Sequence, residues 1–230
     1  MRTATRSRPV KPLSREGNLS DRIYAELRLR LQRAPLKPDE RLIDLEVAST
    51  YGTSRMPARD ALLRLANEGY LVGTTRGFVT PALCLEDVQE IFEVRRMLEP
   101  LAVAGVARNI DDATAALLTR ALQQARDAAA RDDAEQMVLA NMAFRDAWLG
   151  RVRNKRLAAT IARFVDHVQT VRLTTLGSTA TRQVVLDGLT RLHQALMQRD
   201  EHLARQTMTD FMLAAEAAYF SVREADPPSA

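Results

Sequence analysis

Two arginines four residues apart, Arg55 and Arg59, carry the clearest chemistry in this sequence. They lie in the segment 54–59, Ser-Arg-Met-Pro-Ala-Arg, where Ser54 suits a helix N-cap and Pro57 suits a first helical turn. Residues at this spacing share one helical face, so both guanidinium groups would project near the N-terminus of a helix. A guanidinium binds phosphate or the O6 and N7 edge of guanine, and first-turn amides also bind phosphate. The spacing therefore predicts a short helix that presents its N-terminus to an anionic partner.

Two helices are predicted before this element. The first runs over about residues 19–33 and ends before Pro35. Its apolar face recurs every fourth residue, at Ile23, Leu27 and Leu31. The second runs over about 44–51, with Asp44 as its N-cap and Gly52 as the turn residue that follows it.

The arginine helix is predicted to stop at Gly69, and a hairpin with a basic turn at Arg76 and Gly77 follows it. Its buried stripe is predicted to consist of Leu62, Leu63, Leu65 and Ala66. Three helices and a small β-hairpin wing in this order are typical of a winged helix-turn-helix, which docks on duplex DNA.

The second half of the chain is almost entirely helix-patterned. Helices are predicted over 86–108, 111–131, 133–150, 154–176, 179–199 and 200–224. Their short connectors indicate antiparallel neighbours in a bundle. The predicted fold class is therefore mainly α: an N-terminal winged helix-turn-helix followed by an all-helical bundle of six to seven helices.

The composition supports this division. The chain has 230 residues and a net charge of +4, but residues 1–80 hold 15 Lys/Arg against 9 Asp/Glu, whereas the remainder carries a net −2. We expect a basic tail at 1–16, which either contacts DNA phosphates or is merely solvated. A DNA-binding domain is expected at 17–82 and a helical domain at 83–226.

The sequence shows no signal for export or for a membrane. No apolar run approaches the roughly 18 residues of a membrane span, and the N-terminal segment has no apolar core of a secretory signal. The single cysteine, Cys84, excludes an intramolecular disulfide and a cysteine-rich zinc site. We expect a cytoplasmic protein with no membrane partner.

The DNA-binding pattern resembles a known family. The segments 38–42, 52–62, 68–71 and 76–79 resemble the winged helix-turn-helix of GntR-type bacterial transcription regulators. The segment 91–99 resembles the first helix of the FCD domain in their FadR-like subfamily, and the likeness covers about 19–224. It implies a homodimeric transcription regulator, a repressor in our interpretation, that binds a palindromic double-stranded DNA operator with GT…AC half-sites.

The resemblance also assigns the DNA contacts. The expected contacts are Ser54, Arg55, Met56 and Arg59 on the recognition helix, and Arg76 and Gly77 at the wing tip. Leu45 stands where many relatives carry arginine, and Arg41 is expected to supply part of that contact. Met56 is expected to contact a thymine methyl group.

Most FCD domains hold a divalent metal between an Asp/His pair and two later histidines. The corresponding positions here are Asn141, Arg145, Leu189 and Phe211. Leucine and phenylalanine have no donor atom, and an arginine repels a cation. The histidines elsewhere in the chain, His167, His193 and His202, lack an acidic partner four residues upstream. We therefore expect no metal and no other cofactor.

Three alternatives remain for the cavity of the helical domain. A carboxylate effector would pair with Arg145, supported by Asn141 and Arg95. A larger apolar effector, such as an acyl thioester, would pack on Leu189 and Phe211. In the third alternative no effector binds and the bundle only dimerises.

Two other classes of protein make different demands on the sequence. A helical enzyme finds no support, because the sequence shows no nucleophile–base pair, P-loop or dinucleotide fingerprint. An architectural DNA binder shares the basic half of the chain but predicts weak sequence preference.

Overall fold

The computed structural model describes residues 18–33, 36, 40–81, 84–167 and 176–225. The expected tail 1–16, Pro35 and the 168–175 part of a predicted helix lie outside the described residues. Within the described ranges the chain is mainly helical, with one two-stranded antiparallel sheet. The fold class predicted from the sequence is confirmed. None of the helices in these ranges is both long and apolar enough to cross a membrane.

The N-terminal unit consists of three helices and a hairpin. The elements are α1 (Leu19–Arg33), α2 (Asp44–Thr50), α3 (Arg55–Asn67), β1 (Val72–Thr74) and β2 (Gly77–Val79). The predicted apolar face of α1 is buried, and it packs in one cluster with Leu62 and Leu65 of α3. Burying these side chains fixes the orientation of α3, so its opposite face is left to solvent.

Polar contacts add to the packing of α1 on α3. The Tyr24 hydroxyl donates a hydrogen bond to Glu68, and the guanidinium of Arg64 lies 3.8 Å from the centroid of the Tyr24 ring. Burial and the bond to Glu68 raise the pKa of Tyr24 to about 12. Arg64 also donates to Asp21 at 3.1 Å. These contacts hold the C-terminal half of α3 against α1.

Two predictions for this unit were wrong. Asp44 is not an N-cap: Ile43 is the extended N-cap residue, and Asp44 is the first residue of α2. The chain stays extended there because Leu42 exchanges two backbone hydrogen bonds with Phe78 of β2. Leu63 is not buried but 42% exposed, because Leu62 and Leu65 already occupy the core side of α3.

Gly77 is required by the packing of the wing on the segment before α2. Its φ is +124°, and a Cβ atom at this position would lie 2.9 Å from the carbonyl oxygen of Leu42. Only glycine adopts this backbone conformation at little cost. The hairpin is thereby fixed beside α2, and Arg76 lies in the turn between the two strands.

The described C-terminal unit contains six helices, as predicted. They are α4 (Leu85–Asn109), α5 (Asp112–Ala130), α6 (Ala134–Arg151), α7 (Lys155–His167), α8 (Thr179–Met197) and α9 (Glu201–Ala225). Exposed Cys84 caps α4 in a reciprocal pair of hydrogen bonds with Asp87. The core of this unit includes Phe144 and Trp148 of α6.

Arg182 fixes the turn that precedes α8. The helix predicted over 154–176 does not reach its expected end, because residues 176–178 form a turn. The buried Arg182 guanidinium donates to the carbonyl oxygens of Leu176 at 2.6 Å and Gly177 at 2.9 Å, and it pairs with Asp132. The buried carbonyl group of Leu176 thereby has a hydrogen-bond donor inside the protein.

Candidate nucleic-acid interface and effector cavity

Arg55 and Arg59 lie on one exposed face at the start of α3, as predicted. Their side chains are 63% and 60% exposed. Both contact the carboxylate of Asp44 on α2: Nη2 of Arg55 lies 3.0 and 3.1 Å from its two oxygens, and Nη1 of Arg59 lies 3.5 Å from Oδ2. The hydrogen bond from Arg55 is the main cause that lowers the pKa of Asp44. An ionised carboxylate therefore joins the two guanidinium groups.

The other expected DNA contacts surround this pair. Ser54 is the N-cap of α3, but its side chain makes no capping hydrogen bond, so the hydroxyl group remains for another acceptor or donor. Met56 is 72% exposed, and Arg41 and Arg76 are exposed as well. Gly77 is half-buried, and the structure gives it a backbone role in the wing.

The five residues predicted for an effector line a single cavity between α4, α6, α8 and α9. They are Arg95, Asn141, Arg145, Leu189 and Phe211. The free volume is about 70 Å³. Since one water molecule occupies roughly 10–15 Å³ on this measure, the cavity has room for a few waters or a small organic molecule.

The position of Phe211 depends on Gly188 of the facing helix. A Cβ atom on Gly188 would lie 2.2 Å from Cδ2 of the Phe211 ring, so no other residue fits there without displacing the ring. The Phe211 ring can therefore close one side of the cavity. Sequence reasoning identified the ring as part of the lining but not the glycine that makes room for it.

The charges of the cavity are arranged in two groups. Arg95 and Glu99 of α4 form a buried ion pair, with 2.5 Å between Nε and Oε1. Arg145 and Asn141 lie four residues apart on α6 and face the same space, and Arg145 is 7% exposed. The lining side chains that the structure describes include two arginines and one carboxylate, which sum to one positive charge.

This donor set does not suit a divalent metal. Among the lining residues that the structure describes, Glu99 is the only carboxylate, it is bound to Arg95, and none is a histidine. Over the part of the chain that the structure describes, no group of three or more His, Cys, Asp or Glu is placed to hold a metal. His193 lies elsewhere, half-buried, with 2.9 Å between its Nε2 and Oγ1 of Thr119.

One described hydrogen bond joins the helical bundle directly to the recognition helix. Nη2 of Arg163 on α7 lies 3.2 Å from the carbonyl oxygen of Asn67, the last residue of α3. A helix leaves its last carbonyl groups unsatisfied and carries partial negative charge there, so a guanidinium is favourable at this end. No sequence pattern indicated this contact, because its partners are 96 residues apart.

Comparison with known families agrees with both halves of the structure. The model of the bacterial regulatory proteins of the gntR family matches residues 19–77, and the FCD domain model matches residues 90–214. The chain belongs to the GntR family. Its matched segments contain the exposed arginines of α3 and the five residues predicted for the effector cavity.

Individual relatives are transcription regulators. YdhC of Bacillus subtilis (strain 168) is 25% identical over 80% of this chain and 83% of its own. McbR of Escherichia coli (strain K12) is 33% identical over 56% of this chain and 58% of its own, and its solved structure superposes with a TM-score of 0.78 over 89% of this chain and 98% of that one, at 26% identity. The gluconate operon transcriptional repressor of Bacillus licheniformis is 26% identical over 60% of this chain and 56% of its own.

The chain is therefore a GntR-family DNA-binding transcription regulator with an FCD effector-binding domain. Its domains and relatives indicate no enzymatic family. The individual DNA-contacting and effector-contacting residues stay predictions.

Proposed function

We propose that this GntR-family regulator is a homodimeric repressor that binds a palindromic operator and is released by a small carboxylate. The observation that carries the proposal is the pair of exposed guanidinium groups, Arg55 and Arg59, at the start of α3. Residues 17–82 would bind DNA, and residues 83–226 would dimerise and hold the effector. A repressor among the relatives supports the sign of regulation.

The DNA contacts divide by chemistry. Arg55 and Arg59 would read guanine in the major groove, and exposed Met56 would contact a thymine methyl group. Ser54 and the first-turn amides of α3 would bind phosphate, which fixes register without reading sequence. Arg41 and Arg76 would contact the backbone or the minor groove beside the wing, while Gly77 would let the wing approach α2.

An exposed apolar stripe on α4 supports the homodimer. Met97 is 60% exposed, Leu101 is 54% exposed, and Gly105 continues the same face with open space where its Cβ would be. An antiparallel pair of α4 helices centred on Leu101 would place Met97 of one copy over Gly105 of the other. Such a contact is self-complementary, as a two-fold interface requires.

The small cavity favours a short carboxylate over an acyl thioester. Arg145 and Asn141 would bind the carboxylate, since a guanidinium fork matches two carboxylate oxygens. Arg95 would act through its ion pair with Glu99 as part of the wall, and Leu189 and Phe211 would enclose the apolar part. An effector-independent dimer is the alternative, and it predicts no change in DNA affinity with any ligand.

The effector must act by favouring one arrangement of the two DNA-binding domains over another. The hydrogen bond from Arg163 to the end of α3 is a described contact through which the helical domain can hold the recognition helix. Coupling of this kind is reciprocal, so operator DNA would weaken effector binding by the same factor as the effector weakens DNA binding.

Selection of duplexes from a random-sequence pool tests the dimeric regulator. We expect wild-type protein to enrich inverted repeats whose half-sites are about one helical turn apart. Leu101→Glu places a charge in the α4 stripe, so we expect a monomer that enriches single half-sites with weaker affinity. Size-exclusion chromatography with light scattering reports the oligomeric state of each protein.

Leu117→Glu is the matched control, because Leu117 is 51% exposed on α5 and lies off the stripe. It should behave as the wild type does. A dimer that survives Leu101→Glu would place the interface elsewhere. A wild-type protein that enriches no sequence would contradict the proposed function itself.

A further inference from the structure

The carboxylate of Asp44 lies between two side chains that would read the operator. Asp44 belongs to α2, yet its side chain is 10% exposed and faces the start of α3. It contacts Arg55 at 3.0 and 3.1 Å and Arg59 at 3.5 Å. The carboxylate is nearly buried, and it contacts two guanidinium groups that are mostly exposed. It therefore restrains both arginines from the protein side and leaves their outer edges to solvent.

The contacts leave each arginine free to bind a base. Arg55 uses only Nη2 toward Asp44, and Arg59 uses only Nη1. A guanidinium has five N–H donors in a fixed fork, so each side chain retains a second edge for guanine O6 and N7. The carboxylate therefore does not consume the donors that base recognition needs.

We propose that Asp44 is a positioning residue that fixes Arg55 and Arg59 in the conformation in which they read the operator. This inference rests on the proposed function of the two arginines. A free arginine side chain loses rotamer entropy when it is fixed, and a carboxylate that fixes it beforehand reduces that cost at the moment of binding. The benefit applies only where the fixed geometry matches a base, so it increases discrimination more than total affinity.

The negative charge of Asp44 also repels DNA phosphates. Removing it should strengthen binding to every duplex through the electrostatic, sequence-independent contribution. Loss of the charge therefore raises the affinity for both duplexes, whereas loss of the positioning role lowers only the affinity for the operator. This opposition separates them in one experiment.

Asp44→Asn is the test, with affinity for the selected operator and for an unrelated duplex measured at several salt concentrations. We expect tighter binding to the unrelated duplex and a fall of roughly tenfold or more in the operator-to-unrelated ratio. Asp44→Glu keeps the charge and should retain more of the ratio. Thermal unfolding of each variant verifies that the domain is folded.

Glu46→Gln is the matched control, because Glu46 is an exposed residue in the same first turn of α2 and loses the same charge. It should strengthen binding to both duplexes and leave the ratio unchanged. A ratio that is unchanged or raised in folded Asp44→Asn would overturn the positioning role and make Asp44 a competitor for DNA. Arg59→Ala, measured in parallel, distinguishes the failures: if it too keeps the ratio, the proposed function is wrong.

Discussion

Replacing Arg59 with alanine is expected to abolish operator discrimination while leaving the folded dimer intact. A bidentate arginine–guanine contact contributes about 1–3 kcal/mol of discrimination, and a two-fold dimer makes the contact twice. The operator-to-unrelated affinity ratio should therefore fall roughly 30-fold to 10⁴-fold. The Arg59 side chain is 60% exposed, so its removal leaves the core of the N-terminal unit unchanged.

Gel-shift titrations with the selected operator and a scrambled duplex measure this ratio. Arg205→Ala is the matched control: it removes the same charge from an exposed position on α9 of the helical domain. The control should change both affinities little. If Arg59→Ala retains the wild-type ratio, the exposed arginine face of α3 is not the reading surface.

Replacing Arg145 with methionine is expected to abolish the response to a small carboxylate. Methionine keeps much of the side-chain length but removes the charge from the cavity. Hydrogen bonds to charged groups contribute about 1.5–3 kcal/mol each, so loss of a bidentate pair should weaken binding on the order of 10²-fold or more. Thermal-shift titrations with two- to six-carbon carboxylates and with an acyl-CoA thioester measure the effect.

The wild-type response should survive a chelator, and the purified protein should contain no stoichiometric divalent metal, because the described residues of the cavity lining do not form a suitable donor set. Arg205→Met is the control for loss of charge. A carboxylate response that persists in folded Arg145→Met would remove Arg145 from the site. A response only to the thioester would favour the larger apolar effector, and no response in the wild type would favour the effector-independent dimer.

The sequence alone predicted those elements whose position depends on residues close together in the chain. Apolar residues at every fourth position predicted α1, and the order of Ser54 and Pro57 predicted the start of α3. The positions matched to the metal site of related domains predicted the cavity lining, because residues four apart on α6 and single positions on α8 and α9 face one interior. The resemblance to FCD domains supplied this set of positions, and helix geometry explains why they face one cavity.

Sequence patterns did not predict contacts between segments that are far apart in the chain. Asp44 was interpreted as an N-cap because an acidic residue before an apolar pattern favours that role. Its true surroundings depend on the strand-like pairing of Leu42 with Phe78, which keeps Ile43 extended, and on the approach of α3. The packing of Phe211 on Gly188 and the bond from Arg163 to Asn67 likewise depend on tertiary geometry.

The reading of guanine by the α3 arginines can be measured directly with modified operators. Each guanine of the selected operator is replaced in turn by 7-deazaguanine, which removes the N7 acceptor and keeps base pairing. We expect at least one guanine in each half-site to weaken wild-type binding on replacement, and to add no further loss in Arg55→Ala or Arg59→Ala, because the lost contact is shared. If no replacement weakens the wild type, or if the losses in variant and operator add fully, these guanidinium groups do not read the bases.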